Sequence, residues 1–236
     1  MMIKCITFDL DDTLWACKPI IIRAEKICYE WIEKYYPKIS SAYTYEQLIK
    51  KRILYLQAHP DNAYDLTKIR KDWLAQLADE FSYTQKMAED AFHIFWLARN
   101  EVTLFDGARD VLEQLSKQYS LGVLSNGNAD VDHIGIGQYF DFSVKIADVG
   151  AAKPDAKVFH HALNLANCTA LETVHIGDHP TYDVTGALNA GLHAIWYNPD
   201  NAIWTEEKKP TATISHLNEI EAQITRIIGK TSDSKS

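Results

Sequence analysis

Three carboxylates cluster at the end of an apolar run near the start of the chain. The run from Ile3 to Leu10 reads as a buried strand that contains Asp9, and Asp11 and Asp12 follow it. Strand residues two apart share a face, so we expect Asp9 and Asp11 to reach one reacting centre and Asp12 to point away. Such clustered charges require neutralisation, and oxygen ligands without Cys or His favour Mg²⁺. Acidic residues after a strand also commonly cap a helix, so the motif alone is not decisive.

Three later segments carry polar groups of complementary chemistry. A second apolar run ends in Ser-Asn-Gly at 125–127, whose hydroxyl, amide and backbone donors suit phosphate oxygens. Lys153 precedes a proline that restrains its backbone, and Asp178 ends a third apolar run with Asp183 five residues on. Each segment alone has an ordinary alternative, namely a turn, a solvated lysine and a helix cap. Their succession at predicted strand ends and loops is what favours a site.

The elements that must position these groups alternate between strands and helices. Apolar, β-branched or aromatic-rich runs predict strands over Ile3 to Leu10, Leu121 to Ser125, Phe142 to Ile146, Val174 to Ile176 and Ala194 to Tyr197. Amphipathic spacing predicts helices over Ala108 to Gln118, Val158 to Ala166 and Thr181 to Asn189. This alternation predicts an α/β fold with a Rossmann-like parallel sheet, in which ligands bind at the carboxyl ends of the strands.

Residues 15–102 follow a different pattern, because they contain no convincing strand. Four amphipathic segments of helix length occur there: Pro19 to Tyr36, Thr44 to Gln57, Asp65 to Phe81 and Thr84 to Asn100. An all-helical block inserted after the first strand of a sheet indicates a cap domain. We therefore expect a catalytic core of residues 1–14 and 103–229, a helical cap of residues 15–102, and a disordered polar tail at 230–236.

Composition narrows the class of protein. The 236 residues are 47% hydrophobic and 24% charged, which is typical of a globular protein. The net charge of -8, without a local basic patch, argues against nucleic-acid or membrane-surface binding. The four cysteines lack metal-site or disulfide spacing, and no segment reads as a signal peptide or a membrane span. We expect a cytoplasmic protein that acts as a monomer or homodimer.

The four polar signals, taken in order, resemble the motifs of the haloacid dehalogenase-like superfamily of phosphohydrolases: Asp9-x-Asp11-x-Thr13, Ser125, Lys153, and Asp178 with Asp183. The resemblance extends from residue 3 to about residue 196, and the helical insert resembles the type I cap of that superfamily. It implies a Mg²⁺-dependent phosphatase that hydrolyses phosphate monoesters through a phosphoaspartate intermediate.

The resemblance also implies roles for the first two motifs. Asp9 is the expected nucleophile, and Asp11 is the expected general acid that protonates the leaving alkoxide and then activates water. Thr13 is expected on the substrate-binding side, where it holds Asp11 or the loop in place. Ser125 and the backbone of Asn126 are expected to bind the phosphate oxygens.

The remaining motifs are expected to neutralise the negative charge of the phosphate and the carboxylates. Lys153 would offset the negative charge shared by Asp9 and the bound phosphate. Asp178 would complete the Mg²⁺ ligands together with Asp9 and the backbone carbonyl of Asp11. Asp183 is expected to contact a metal-bound water or Lys153, and direct ligation by Asp183 stays open.

Other functions stay open within this pattern. A halide leaving group needs no proton, so an acid at Asp11 argues for phosphate esters and against dehalogenation. Sugar phosphomutases of the same superfamily keep both aspartates and are the main enzymatic alternative. A receiver-like signalling or phosphate-binding protein is the non-enzymatic alternative, although a receiver carries its phosphorylated aspartate on a later strand and has no cap.

A closer resemblance concerns the substrate. Residues 9–14, 125–129, 140–142 and 153–163 resemble the bacterial branch that dephosphorylates the riboflavin precursor 5-amino-6-(5-phospho-D-ribitylamino)uracil and also FMN. Trp15, Arg70 and Trp73 are candidates for stacking on, or hydrogen bonding to, a flat ring. Packing between cap and core is the alternative explanation for these side chains.

Overall fold

Two compact units account for residues 2–233, which are the residues that the computed structural model describes. The first unit takes in residues 2–16, 103–127 and 131–233, and the second takes in residues 17–102 and 128–130. The second unit thus begins two residues after the predicted start of the cap. Residues 128–130 also group with it, and there the Asp130 amide donates to the side-chain oxygen of Asn100 at 2.7 Å.

A six-stranded parallel sheet lies at the centre of the first unit, with the strand order β3-β2-β1-β4-β5-β6. Its strands are β1 (Cys5–Phe8), β2 (Ser120–Val123), β3 (Phe142–Ser143), β4 (Thr173–Gly177), β5 (His193–Tyr197) and β6 (Ala212–Ile214). The predicted parallel α/β sheet is confirmed, and five of the strands fall where the sequence places them. Strand β6 was not predicted, because three residues are too short for a periodicity signal.

The second unit is helical over its described residues. Its helices are α1 (Cys17–Tyr35), α2 (Pro37–Ala42), α3 (Tyr45–Ala58), α4 (Leu66–Glu80) and α5 (Lys86–Arg99). A core of aliphatic and aromatic side chains from these helices holds the unit together. The four predicted helices are confirmed. Helix α2 is additional, because Pro37 opens a new helical turn immediately after α1 ends.

Helices α6 (Ala108–Ser116), α7 (Val131–Ile134), α8 (Ile146–Val149), α9 (Ala156–Ala166), α10 (Gly186–Asn189) and α11 (Ile220–Asp233) belong to the first unit. A π-helix, Pro180–Thr185, occupies the first part of the helix predicted over 181–189. Helix α11 continues through residues 230–233, where the sequence predicts a disordered tail, and 234–236 lie outside the described residues. None of the described helices combines the length and apolarity that a membrane span requires.

Strand register brings the polar motifs to one edge of the sheet. Phe8 on β1 pairs with Val123 on β2 and with Ile176 on β4, so the three central strands end at nearly the same level. Asp9, Ser125 and Asp178 follow these strand ends in the chain. The carboxyl edge of a parallel sheet is where ligands bind in this class of fold, so the site lies at the expected edge.

Candidate active site

A buried lysine connects two of the predicted site carboxylates. The Lys153 ammonium lies 2.7 Å from Asp9 Oδ1 and 2.5 Å from Asp183 Oδ1, and all three side chains are almost fully buried. Asp155, two residues after Lys153, caps α9 by accepting a hydrogen bond from the Lys157 amide. The start of α9 therefore places the lysine beside the end of β1, and a buried ammonium with two carboxylate partners is stable there.

The side chain of Asn126 fixes the backbone of Lys153. Its amide nitrogen donates to the Lys153 carbonyl at 3.0 Å, and its carbonyl oxygen accepts from the Lys153 N–H at 2.8 Å. The sequence pattern had assigned Asn126 a backbone role toward phosphate. The structure adds a separate side-chain role, because this pair of hydrogen bonds sets the position from which Lys153 reaches Asp9.

Two polar residues inside the sheet, Thr7 and His175, connect to Lys153 through Asp183. His175 on β4 is buried, with its Nδ1 2.9 Å from the Thr7 hydroxyl and its Nε2 3.2 Å from Asp183 Oδ1. Burial lowers the pKa of His175, so the ring is neutral. Because the Asp183 carboxylate only accepts, Nε2 carries the proton and Nδ1 accepts from Thr7. Sequence reasoning missed both residues, although a Thr and a His in two apolar strands were the available signal.

A glycine lets Asp183 approach the end of β4. A Cβ added at Gly177 would lie 2.3 Å from Asp183 Cγ, which is far inside van der Waals contact. Asp183 reaches this position from the π-helix that follows β4, and its Oδ2 accepts from the backbone N–H of His179 at 2.9 Å. The wider turn of a π-helix is often found at functional sites.

Asp9, Asp178 and Asp183 form what we call the acidic cluster. Each offers a carboxylate oxygen, and these oxygens lie within 4.8 Å of one another. When all three carboxylates are ionised, the Lys153 ammonium offsets one negative charge and two stay uncompensated, since His175 is neutral. An all-oxygen donor set with this charge fits a hard divalent cation such as Mg²⁺.

The three carboxyl groups of the acidic cluster differ in pKa, and therefore in how readily each one carries a negative charge. Burial raises the pKa of Asp9 to about 7, against the opposing attraction of Lys153. Burial, with repulsion from Asp183 and Asp9, raises the pKa of Asp178 to about 7. Burial also opposes ionisation of Asp183, but Lys153 and His175 outweigh it and hold the pKa of Asp183 below its usual range. Asp183 is therefore the permanent partner of Lys153, and Asp9 and Asp178 carry the charge that a cation would offset.

Asp178 is held from two directions. The Thr13 hydroxyl donates to Asp178 Oδ1 at 3.3 Å, and the Trp196 indole N–H donates to the Asp178 carbonyl at 2.7 Å. Thr13 was expected to hold Asp11 or its own loop, and its hydrogen bond instead reaches the neighbouring strand end. Trp196 had no predicted role.

Asp11 and Ser125 flank the cluster. The Trp15 indole N–H donates to Asp11 Oδ1 at 2.8 Å, and Asp11 is partly exposed. Ser125 is buried, and its hydroxyl accepts from the Gly127 N–H at 3.2 Å, which forms a tight turn at the end of β2. Exposed Asp12 has a left-handed backbone (φ 57°).

The three candidates for contact with a flat ring are wrong in their assigned role. Trp15 has 0% of its surface exposed, and its indole N–H is bonded to Asp11. Arg70 is buried, pairs with Glu25 at 2.7 Å and lies over the Phe95 ring within its own unit. Trp73 is buried as well and belongs to the helical core. Side chains packed in this way have no free face to offer a ligand.

Comparison with known families places the site in context. Residues 3–191 match the model of the haloacid dehalogenase-like hydrolases. A curated relative from Escherichia coli (strain K12), 5-amino-6-(5-phospho-D-ribitylamino)uracil phosphatase YigB, is 30% identical over 91% of this chain and 93% of its own length. The pyrimidine 5'-nucleotidase YjjG of the same organism is 33% identical over 50% of this chain and 56% of its own length.

A solved structure is similar throughout its length. The crystal structure of 2-haloacid dehalogenase from Pseudomonas syringae pv. Tomato DC3000 is 37% identical to this chain, with a TM-score of 0.89, and the match covers 95% of this chain and 99% of that one. Among the similar proteins are thus two named for phosphate-ester hydrolysis and one named for dehalogenation.

Proposed function

The chain belongs to the haloacid dehalogenase-like hydrolase family, and within that family we propose that it is a Mg²⁺-dependent phosphatase of small-metabolite phosphate monoesters. The observation that carries the proposal is the buried contact of 2.7 Å between Lys153 Nζ and Asp9 Oδ1 at the carboxyl edge of the sheet, next to Asp178. This arrangement supplies a nucleophile, an ammonium for the phosphate and carboxylates for a cation in one place.

Asp9 is the proposed nucleophile. One of its oxygens would attack phosphorus in line with the leaving oxygen and form an acyl phosphate. Lys153 would offset the charge shared by Asp9 and the phosphoryl group, and Asp183 with His175 keeps that lysine charged and correctly placed. Ser125 and the Asn126 backbone would donate to the phosphate oxygens.

Asp11 is the proposed acid and base. As an acid it would protonate the leaving alkoxide, and as a carboxylate it would take a proton from the water that hydrolyses the acyl phosphate. Its partial exposure at the end of the buried strand fits a group that exchanges protons with substrate and water.

Asp9 and Asp178 are the side chains that would hold the metal, with the backbone carbonyl of Asp11 as a further ligand. Asp183 supports the site through Lys153, with which it is already paired. Mg²⁺ bound at the cluster would polarise the phosphoryl oxygens and offset the charge that develops on them. The cytoplasmic location and the monomeric or dimeric state stay predictions.

The substrate is proposed from similarity along the whole chain. The relative YigB is named for 5-amino-6-(5-phospho-D-ribitylamino)uracil, and it matches this chain over both units. We therefore propose that this riboflavin precursor, or FMN, is a substrate. A turnover screen should compare both with sugar phosphates and pyrimidine nucleotides. This assignment would be rejected if a sugar phosphate had a higher kcat/KM than both the riboflavin precursor and FMN.

Dehalogenation is the second candidate function, because the similar Pseudomonas syringae structure bears the name of a 2-haloacid dehalogenase. A halide leaves without a proton, so dehalogenation gives Asp11 no acid role. We expect phosphatase activity and no halide release from a 2-haloacid. Halide release faster than phosphate release would reverse this ranking.

The direct test of the phosphatase proposal is turnover of p-nitrophenyl phosphate with Mg²⁺. Asp9→Asn should abolish turnover, because an amide cannot act as the nucleophile. Asp12→Asn is the matched control, since it removes the same charge three residues away at an exposed, left-handed position that Asn also tolerates. Substantial activity in Asp9→Asn would reject the nucleophile assignment.

A further inference from the structure

Trp15 makes a polar contact with Asp11 in addition to its apolar packing in the core. Its side chain is fully buried, and its indole N–H donates to Asp11 Oδ1 at 2.8 Å. The backbone around the two residues is separately closed, because the Asp12 N–H donates to the Trp15 carbonyl at 2.7 Å and the Leu14 N–H donates to the Leu10 carbonyl at 2.8 Å. The loop therefore keeps its shape through backbone bonds, and the indole bond acts on the carboxyl group itself.

The chemistry of the indole determines what this bond can do. An indole N–H only donates, and the carbonyl oxygen of a carboxylic acid is a better acceptor than its hydroxyl oxygen. When Asp11 is a carboxylic acid, the indole bond therefore favours Oδ1 as the carbonyl oxygen and the acidic proton on Oδ2. The bond thus holds the orientation of the carboxyl group and favours Oδ2 as the oxygen that transfers the proton.

We propose that Trp15 is a positioning residue for acid–base catalysis by Asp11. The inference rests on the proposed phosphatase function, in which Asp11 protonates the leaving group. In the first step the Oδ2–H bond breaks and its proton passes to the ester oxygen as the bond from that oxygen to phosphorus breaks and the bond from Asp9 to phosphorus forms. In the second step Oδ2 takes a proton from water, the water oxygen bonds to phosphorus, and the bond from Asp9 to phosphorus breaks.

A misplaced acid slows only the steps that need its proton. General acid catalysis contributes about 10²- to 10⁴-fold, and it matters most when the leaving group is a poor one. An alkyl phosphate needs the proton, whereas p-nitrophenyl phosphate releases a stable anion. The values of kcat/KM report the steps through departure of the leaving group, so the two substrates separate an effect on the acid from a general loss of structure.

The test compares Trp15→Phe with the wild type on glycerol phosphate and p-nitrophenyl phosphate at saturating Mg²⁺. Trp15→Phe should lower kcat/KM about tenfold or more for glycerol phosphate and change it little for p-nitrophenyl phosphate. In an Asp11→Asn background, the same substitution should have no further effect on phosphoryl transfer measured in a single turnover, because the acid is already absent. Trp31→Phe is the control, since Trp31 packs against Tyr35 and Tyr36 in the helical unit.

Three outcomes overturn the proposal. The first is an equal loss of kcat/KM on both substrates in Trp15→Phe, which would show a structural role alone. The second is an unchanged kcat/KM on both substrates. The third is a full additional loss of phosphoryl transfer when Trp15→Phe is added to Asp11→Asn. If Trp15→Phe does not fold, replacement of the indole by benzothiophene keeps the ring shape without the N–H, and the same selective loss is expected. Absence of turnover by the wild type on any phosphate ester would instead reject the proposed phosphatase function, and the positioning role with it.

Discussion

Asp178→Asn should make the metal-free protein more stable while removing its response to Mg²⁺. Asp178 has a pKa raised to about 7 by burial and by repulsion from Asp183 and Asp9. Because the folded-state pKa exceeds that of the unfolded chain, the neutral acid stabilises the fold fully below about pH 4, and this stability is lost progressively as the pH rises from there through 7. An amide stays neutral throughout, so the substitution should stabilise the protein most at pH 8 and clearly less at pH 5.

The magnitude follows from the pKa. The difference between the ordinary value of 3.8 and about 7 corresponds to an upper limit of about 4 kcal/mol at pH 8. A weaker hydrogen bond from Thr13, whose hydroxyl lies 3.3 Å from Asp178 Oδ1, would offset about 1 kcal/mol of this gain at most. A net gain of about 1–3 kcal/mol would raise the unfolding midpoint by roughly 2–10 °C in a chain of this size.

Differential scanning calorimetry in EDTA and in Mg²⁺, at pH 5 and pH 8, provides the assay, and it can resolve separate transitions of the two units. Asp200→Asn is the control, because it removes one exposed carboxylate that is not part of the acidic cluster. The reasoning is refuted if Asp178→Asn destabilises the EDTA-treated protein at pH 8, or if Mg²⁺ stabilises variant and wild type equally.

Three further predictions follow from the same geometry. Mg²⁺ affinity should rise by at least about tenfold from pH 6 to pH 8 in isothermal titration calorimetry, since Asp9 and Asp178 must lose protons near pH 7 to bind the cation; a flat profile would contradict the raised pKa values. Gly177→Ala should lower kcat strongly by displacing the Asp183 carboxylate, with Gly229→Ala as the control, because a Cβ at Gly229 meets no atom within 4 Å and its backbone has no positive φ. Asn126→Ala should lower kcat about tenfold by releasing the Lys153 backbone, and unchanged kinetics would leave Asn126 with only the backbone role predicted from sequence.

Much of the fold was predictable because strands in a parallel sheet are apolar on both faces. The runs before Asp9, Ser125 and Asp178 stand out for that reason, and strand register then brings those residues to one edge. The boundaries of the helical insert were readable from the change to helical spacing. Strand β6 and helix α2 were too short to give a periodic signal.

The details that escaped the sequence depend on tertiary contacts. The buried face of α1 passes through Ala24 and Cys28, which the helical spacing of large side chains does not single out. Small residues pack closely against neighbouring helices, but their weak hydrophobicity hides them in a pattern based on large side chains.

The contacts of Thr7 and His175, which connect to Lys153 through Asp183, were not predicted for a related reason. Thr7 and His175 lie at the same register point of β1 and β4, so they face each other, but pairing between strands that are 168 residues apart cannot be read from one sequence. The approach of Asp183 likewise depends on a π-helix that has no distinct sequence pattern.

Detection of the phosphorylated residue tests the central claim most directly. Asp11→Asn enzyme, mixed with saturating p-nitrophenyl phosphate and Mg²⁺, quenched in acid and digested, should yield one phosphoryl adduct on the peptide that contains Asp9, because the acyl phosphate forms but its hydrolysis lacks a base. The adduct should be removed by hydroxylamine, as an acyl phosphate is. A turnover-competent wild type whose Asp11→Asn variant carries no adduct, or carries it on another residue, would contradict the account.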